Sequence, residues 1–339
     1  MHCNKDKSLN SPIKKRAFIN LSFIIIILVI TFLALVVINA KKAIFEAQRV
    51  SIGWSSERGE LENCRAINIK TKAKKSYQKH FKEEEFCSVI LKYNGKKVNK
   101  SGQTEYDIFF WVDVVADILV IGGGGGGGSS AADVQNGGAG GGGAGGFLYK
   151  TKIEFENNIK YKVAIGGGGS RGDEASSYRG YNGKNSQFGD VIALGGGGGG
   201  ASSRDQFLNS GLSGGSGGGA GNWGGNPGFA IGDQGNQGGN VSDILGSGSG
   251  AGGGGAGEYG QIRSSWKFPG AGGIGVENDI TGSKVTYAVG GRGGWYYEVN
   301  QKSLSVENGL GNGGIGGSAN GLGSNGGSGI IIINYRLKK

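Results

Sequence analysis

Three short apolar runs in this chain end directly in oligoglycine, and that junction restricts the fold more than any other feature. Ala116-Asp117-Ile118-Leu119-Val120-Ile121 runs into Gly122 to Gly128, Tyr161-Lys162-Val163-Ala164-Ile165 into Gly166 to Gly169, and Asp190-Val191-Ile192-Ala193-Leu194 into Gly195 to Gly200. A flexible spacer has no use for a strand-like entry into each glycine tract. A folded domain that packs on glycine does.

Composition narrows the choice. The chain holds 76 glycines and only Gly53, Gly59, Gly95 and Gly102 precede Gly122, so 76 − 4 = 72 lie between Gly122 and Gly329. That is about a third of the segment, a density otherwise met in collagen or disorder. Collagen needs a strict Gly-X-Y period and abundant proline, whereas these glycines cluster in runs and the chain has 3 prolines. Disorder is the stronger competitor, because Gly/Ser-rich chains bury too little apolar surface to offset an ordering entropy of roughly 1–2 kcal/mol per residue. Against it stand Trp223, Trp266, Trp295, Tyr287 and Ile330 to Ile333, residues that linkers lack. Glycine, having no Cβ, also lets extended three-residue-per-turn helices pack backbone against backbone and exchange hydrogen bonds laterally. Every buried N–H and C=O needs a partner, so such helices require a bundle clamped by strands. The expected fold class is therefore mainly β and irregular: a polyglycine-II helix bundle closed by short β-strands, preceded by one N-terminal transmembrane α-helix.

That transmembrane helix is expected at 17–40. These 24 residues carry no charge, and 17 of those between Phe18 and Ile38 are Leu, Ile, Val or Phe. At 1.5 Å per residue the segment is roughly 36 Å long, more than the ~30 Å hydrocarbon core. A cleaved signal peptide is the competing reading, but its apolar region is shorter and Ile38-Asn39-Ala40 is a poor small-x-small site. Lys5, Lys7, Lys14, Lys15 and Arg16 outnumber Lys41, Lys42 and Arg49 across the span, which places the N-terminus in the cytoplasm and the rest outside, in the periplasm or beyond. The organisation that follows is a basic leader at 1–16, the span at 17–40 in contact with the lipid bilayer, a helical and basic neck at 41–102, and a glycine-rich domain at 103–339. Cys64 and Cys87 form an even pair in the exported part, where a disulfide would persist; the alternative is two free thiols.

Two stretches of the chain resemble known families. Lys14-Lys15-Arg16-Ala17-Phe18-Ile19-Asn20-Leu21-Ser22 is similar to the leader and helix start of type IV pilins and pseudopilins, with Ala17 in the place of the pilin glycine and Ser22 in that of its glutamate. It implies a structural subunit that forms a homo-oligomer through Phe18 to Gln48. The glycine-rich part resembles the domain of bacteriophage tail-fibre and adhesin proteins. The matching segments, in order, are Asp117 to Gly128, Tyr161 to Gly167, Asn182 to Gly189 with Ala193-Leu194 and the glycines after it, Gly235 to Gly239, Ile280 to Gly291, and Gly326 to Tyr335. A similar region occurs in the ectodomain of some animal receptor kinases. The resemblance implies a sandwich of glycine helices closed by short strands, with linking loops at one end that carry receptor binding.

Mapped here, the candidate loops are 170–181, 201–212, 222–231, 258–268 and 294–308. They supply Tyr178, Tyr181, Trp223, Trp266, Trp295, Tyr296 and Tyr297 as candidate ligand-binding residues, with Phe229 and Tyr259 beside them. Exposed aromatics on a rigid frame give large contact area at little entropy cost, which suits a glycan or protein ligand. The bland alternative is that several cap the ends of glycine helices; Trp295, Tyr296 and Tyr297 are the residues expected to be exposed.

Catalysis is not expected, nor any cofactor or metal. His2 and His80 are the only histidines, the GxGxxG strings lack a strand–helix unit, and Lys184 is followed by Asn185 rather than the Ser/Thr of a P-loop. Arg171-Gly172-Asp173 is read as a chance tripeptide. The net charge of +10 stems largely from the leader and neck, so no nucleic-acid partner is expected.

Overall fold

A computed structural model of the protein describes residues 67–69, 87–93, 95, 98–110, 113–131, 137–157, 159–241, 248–297 and 306–338. The chain divides into a unit of residues 1–51, which lies outside the described residues, and a unit of residues 52–339.

The strands are β1 (Ile67–Ile69), β2 (Cys87–Lys92), β3 (Gln103–Phe110), β4 (Val114–Ile121), β5 (Phe147–Phe155), β6 (Tyr161–Gly166), β7 (Ser186–Phe188), β8 (Val191–Ala193), β9 (Val276–Asn278), β10 (Val285–Tyr287) and β11 (Ile330–Leu337). They form a four-stranded sheet in the order β2-β11-β4-β5, a five-stranded sheet in the order β1-β3-β6-β7-β8, and the pair β10-β9. Every pairing between these strands is antiparallel.

β4 and β11 show why uninterrupted apolar runs end up in the middle of a sheet. They pair Ile118 with Ile333, Leu119 with Ile332, Val120 with Ile331 and Ile121 with Ile330. Successive side chains on a strand point to opposite faces, so a run buried throughout needs cover on both. Leu119, Ile121, Ile330 and Ile332 pack in one cluster with Ala144, Ile280, Tyr287 and Ala288. The alternate residues Ile118, Val120, Ile331 and Ile333 are buried as well. The four- and five-stranded sheets meet through aromatic rings: Phe155 of β5 lies 5.4 Å from Phe188 of β7, and Phe110 of β3 lies 5.6 Å from Tyr335 of β11.

At the ends of the strands the glycine tracts begin, and their hydrogen bonds obey a period of three. Gly122, Gly125 and Gly128 donate to the carbonyls of Gly146, Gly143 and Gly140. Gly123, Gly126 and Ser129 donate to Lys184, Tyr181 and Tyr178, while Gly124, Gly127 and Ser130 donate to Gly327, Ser324 and Gly321. The segment 122–130 is thus an extended rod with three residues per turn, bonded to a different neighbour by each residue of the turn. Its carbonyls accept from Gly196, Gly199 and Ser202 on one further rod, from Gly169 and Gly172 on another, and from Gly314 and Gly317 on a third. Donor and acceptor numbers run in opposite senses towards 138–146 and in the same sense towards 194–202, so the lattice admits antiparallel and parallel neighbours alike.

At the glycines of these rods such contact leaves no room for a side chain, although Ala139, Ala144, Ala220 and Ala251 each bury a methyl within the lattice. A β-carbon on Gly125 would stand 2.1 Å from the Gly197 carbonyl oxygen, and one on Gly142 would stand 2.2 Å from that of Gly125. Rods 138–146 and 248–256 are enclosed in the same way and are buried almost throughout. Rods nearer the surface carry side chains at every third position on the outward flank, as with Ala271 and Ile274, Arg292 and Trp295, and Asn312 and Ile315.

The expected fold class is corrected in two respects. The strands do not close the glycine bundle: they form the open sheets described above. Among the described residues the helical content is a 3₁₀ turn at Glu174–Ser176, and no helix is long and apolar enough to cross a membrane. The transmembrane α-helix, the single-pass membrane topology with a cytoplasmic N-terminus and the membrane localisation built on it are therefore withdrawn. The segment 17–40 itself lies outside the described residues, as do the pilin-like leader, Cys64 and the side chain of Cys87.

Candidate functional site

The rods run from the sheets towards turns at their far ends, and one of those ends gathers aromatic side chains. Rod 288–295 continues from β10 and lies beside rod 270–275, to which Gly290 and Gly293 donate at the carbonyls of Gly273 and Gly270. This neighbourhood brings Trp295 within 5.6 Å of Phe268, ring centre to ring centre. Trp266 meets Tyr296 at 4.9 Å and Tyr297 at 6.2 Å, and Tyr296 meets Tyr297 at 4.8 Å, all edge-to-face, the arrangement aromatic quadrupoles favour. Trp266, Phe268 and Tyr297 are exposed, at 46%, 53% and 46%; Trp295 and Tyr296 are half-buried.

Cations flank the rings. The Lys267 ammonium sits 4.8 Å from the centre of Trp266 and the Arg292 guanidinium 5.6 Å from that of Trp295, within the range of cation–π attraction. Arg292 and Trp295 are three residues apart and so share one flank of their rod. Partial burial lowers the Arg292 pKa from its ordinary value, although the group remains charged.

Ser249, fully buried, fixes the cluster from below. Its N–H donates to the Trp266 carbonyl at 2.9 Å, its hydroxyl donates to the Lys267 carbonyl at 2.8 Å, and the same oxygen accepts the Tyr296 N–H at 3.0 Å. The Trp295 N–H donates to the Ser318 hydroxyl at 3.2 Å. The segments that carry the rings are thereby tied to the ends of rods 248–256 and 311–318.

The structure thus unites Trp266, Trp295, Tyr296 and Tyr297 from the sequence-derived set and leaves the others apart. Tyr178 is half-buried with φ +65°, and its carbonyl accepts the Ser129 N–H, a lattice role. Tyr181 lies on a rod whose carbonyl accepts from Gly126, with its side chain exposed. Trp223 is half-buried at a turn, also with φ +65°, and its indole nitrogen is buried. Phe268, Lys267, Arg292 and Ser249 complete the cluster without having been singled out; the i, i+3 spacing of Arg292 and Trp295 was a readable signal. Arg171-Gly172-Asp173 is absorbed by the frame, since the Asp173 carboxylate accepts the Ser176 N–H at 2.9 Å and the Gly172 N–H donates into the lattice at Gly127.

With this geometry in place, comparison with known families is decisive on one point. Residues 98–336 match the family described as the glycine-rich domain. This chain belongs to that family. No curated protein is a significant match to it. In this glycine-rich domain the aromatic cluster is the largest gathering of exposed rings among the described residues.

Proposed function

We propose that the glycine-rich domain is a non-catalytic binding module of the tail-fibre adhesin kind, whose recognition surface is the aromatic end formed by Trp266, Phe268, Trp295, Tyr296 and Tyr297. The observation that carries this reading is the combination of half-exposed rings with backbone anchoring. Rings held by Ser249 and Ser318 lose little conformational freedom on binding, and aromatic and Arg side chains supply most hot-spot energy in interfaces. The ligand is a glycan or a protein. Aromatic faces stack on sugar rings, and Lys267 and Arg292 add donors beside them.

Trp266→Ala and Tyr297→Ala in the full chain test the reading by binding to target cells. Each is expected to weaken binding about tenfold or more, ~1.4 kcal/mol, while the melting curve stays near that of the parent. Phe207→Ala is the control: Phe207 is 83% exposed on a different loop and should leave binding unchanged. Full binding by folded Trp266 and Tyr297 variants would remove this surface. Glycosidase or protease treatment of the target cells separates the two ligand classes.

A further inference from the structure

Two cations stand at the aromatic end without a counter-charge. Lys267 lies over Trp266 and Arg292 over Trp295, yet among the described residues neither joins an ion pair; those pairs link Lys160 to Asp107, Lys284 to Glu277 and Lys338 to Glu154. The Arg292 guanidinium donates to the carbonyl of its neighbour Gly293 at 2.9 Å, which leaves most of its five N–H groups open. Arg263 of the same neighbourhood is buried and donates to the Asn222 side chain at 3.4 Å, so it belongs to the frame. The segments that carry the rings, 259–268 and 288–297, hold no carboxylate, and neither do rods 248–256 and 311–318 to which they are tied. Glu298, next in the chain, lies outside the described residues.

A guanidinium half withdrawn from water with no opposite charge beside it bears a desolvation cost, and burial alone lowers the Arg292 pKa. An anion seated against it would offset that cost and add a charge-assisted hydrogen bond. The arrangement occurs twice, once at Trp266 and once at Trp295, and the two are joined through Phe268, which follows Lys267 in the chain and meets Trp295 edge-on. An acidic sugar has the complementary parts: a ring with an apolar C–H face and a carboxylate or sulfate at its rim. A polymer of such sugars repeats them, as this surface repeats ring and cation. An acidic peptide would answer the charges but brings no ring face with each of them. We propose that the ligand of the aromatic end is an acidic polysaccharide, its sugar rings against Trp266 and Trp295 and its anionic groups at Lys267 and Arg292. This rests on the reading of the aromatic end as the recognition surface and narrows its ligand to sugars that carry negative charge.

The test is binding of the full chain to immobilised polygalacturonate, dextran sulfate and neutral dextran at physiological ionic strength. The parent should bind at least one of the two polyanions and not dextran, and the tighter of the two names the anionic group as carboxylate or sulfate. Lys267→Gln/Arg292→Gln should weaken that binding about tenfold or more. Lys150→Gln/Lys162→Gln removes the same charge from exposed positions on β5 and β6 and should stay within about twofold of the parent. Equal losses for the two pairs would trace the binding to the chain's net charge of +10 and overturn the proposal. So would a parent that binds neither polyanion better than dextran, or one that binds polyglutamate as tightly as either. In the cell-binding assay, a loss with Trp266→Ala but full binding by a folded Lys267→Gln/Arg292→Gln would overturn the acidic ligand and leave the surface standing, whereas full binding by both would remove the surface itself. Should the double variant lose its cooperative melt, Lys267→Gln alone, at an exposed position, is read by the same criteria.

Discussion

The sheets and the glycine lattice of this molecule obey opposite packing rules. In the sheets, Ile118, Val120, Ile331 and Ile333 are buried as large groups, and each fully buried side chain contributes about 1.5–3 kcal/mol. In the lattice, Gly122 to Gly128 are equally buried and contribute no side chain. Their favourable term is the lateral hydrogen bond, worth roughly 0.5–1.5 kcal/mol net, set against an entropic disadvantage of glycine of about 0.5–1 kcal/mol relative to alanine. A lattice on those terms is close to neutral by itself. It holds because rods continue from strands, as 122–130 does from β4 and 288–295 from β10, so that the apolar core fixes where each rod starts. The difference teaches that glycine can fill a protein interior when side-chain burial elsewhere supplies the driving force.

The sharpest way to break this comparison is to add one carbon. Gly125→Ala places a methyl 2.1 Å from the Gly197 carbonyl oxygen and 2.9 Å from that of Gly196, both backbone atoms. Ordinary overpacking costs about 1–3 kcal/mol because side chains can give way. Here only rods can move, and the expected loss is about 4 kcal/mol or more, at the exceptional end of point-mutant effects, seen as a lost or strongly lowered cooperative melt. Gly189→Ala calibrates it: nothing stands within 4 Å of that position and its φ of +55° carries the whole penalty, roughly 1–2 kcal/mol. Equal losses at the two sites would mean that the close approach of the rods does not govern stability.

Ile331→Ala comes next, by the rule of the sheets. Its side chain is fully buried opposite Val120 in β4 and Leu91 in β2, so removing it should cost about 2–5 kcal/mol in transfer energy and cavity. If the lattice depends on the sheets, the amides of rods 122–130 and 321–329 should lose hydrogen-exchange protection together with those of β11. Rods that keep their protection while β11 opens would show that the lattice stands without its anchor.

The same contrast decides what the sequence discloses. The junctions at Ile121, Ile165 and Leu194 were legible because a continuous apolar run before glycine is unusual, and each lies at or within one residue of a strand's end. β5 gave a weaker signal: Lys150, Lys152 and Glu154 face solvent on an edge strand, and its pairing with β4 is broken by a bulge near Asp117. Burial within the lattice is written in the glycine spacing. Tracts without interruption, such as 122–128 and 252–255, are enclosed, and one side chain per turn marks an outward flank. Trp266, Trp295, Tyr296 and Tyr297 could be named from sequence, yet their meeting could not, because it depends on Ser249 and on which rods are neighbours. The expectation of a transmembrane helix rested on residues outside the described set and finds no helix of that kind among those described.

The smallest expected effect separates the regions by charge instead of volume. Tyr106 of β3 is buried at 5% exposure and its hydroxyl donates to the Lys92 carbonyl of β2 at 2.6 Å. Burial pushes its pKa up from 10.0 to about 12, and burial raises those of Tyr287 and Tyr335 as well. A phenol that stays neutral in the fold while its unfolded counterpart ionises contributes stability fully present below pH 10.0, which is lost as pH rises towards about 12. The uninterrupted glycine tracts contain no titrating side chain, so alkaline unfolding should start in the sheets. Tyr106→Phe should cost about 1 kcal/mol at neutral pH by deleting the hydrogen bond, and its melting temperature should fall less steeply above pH 10.0 than that of the parent. A variant that keeps the parent's alkaline slope would move the titration to Tyr287 and Tyr335, the buried tyrosines of β10 and β11.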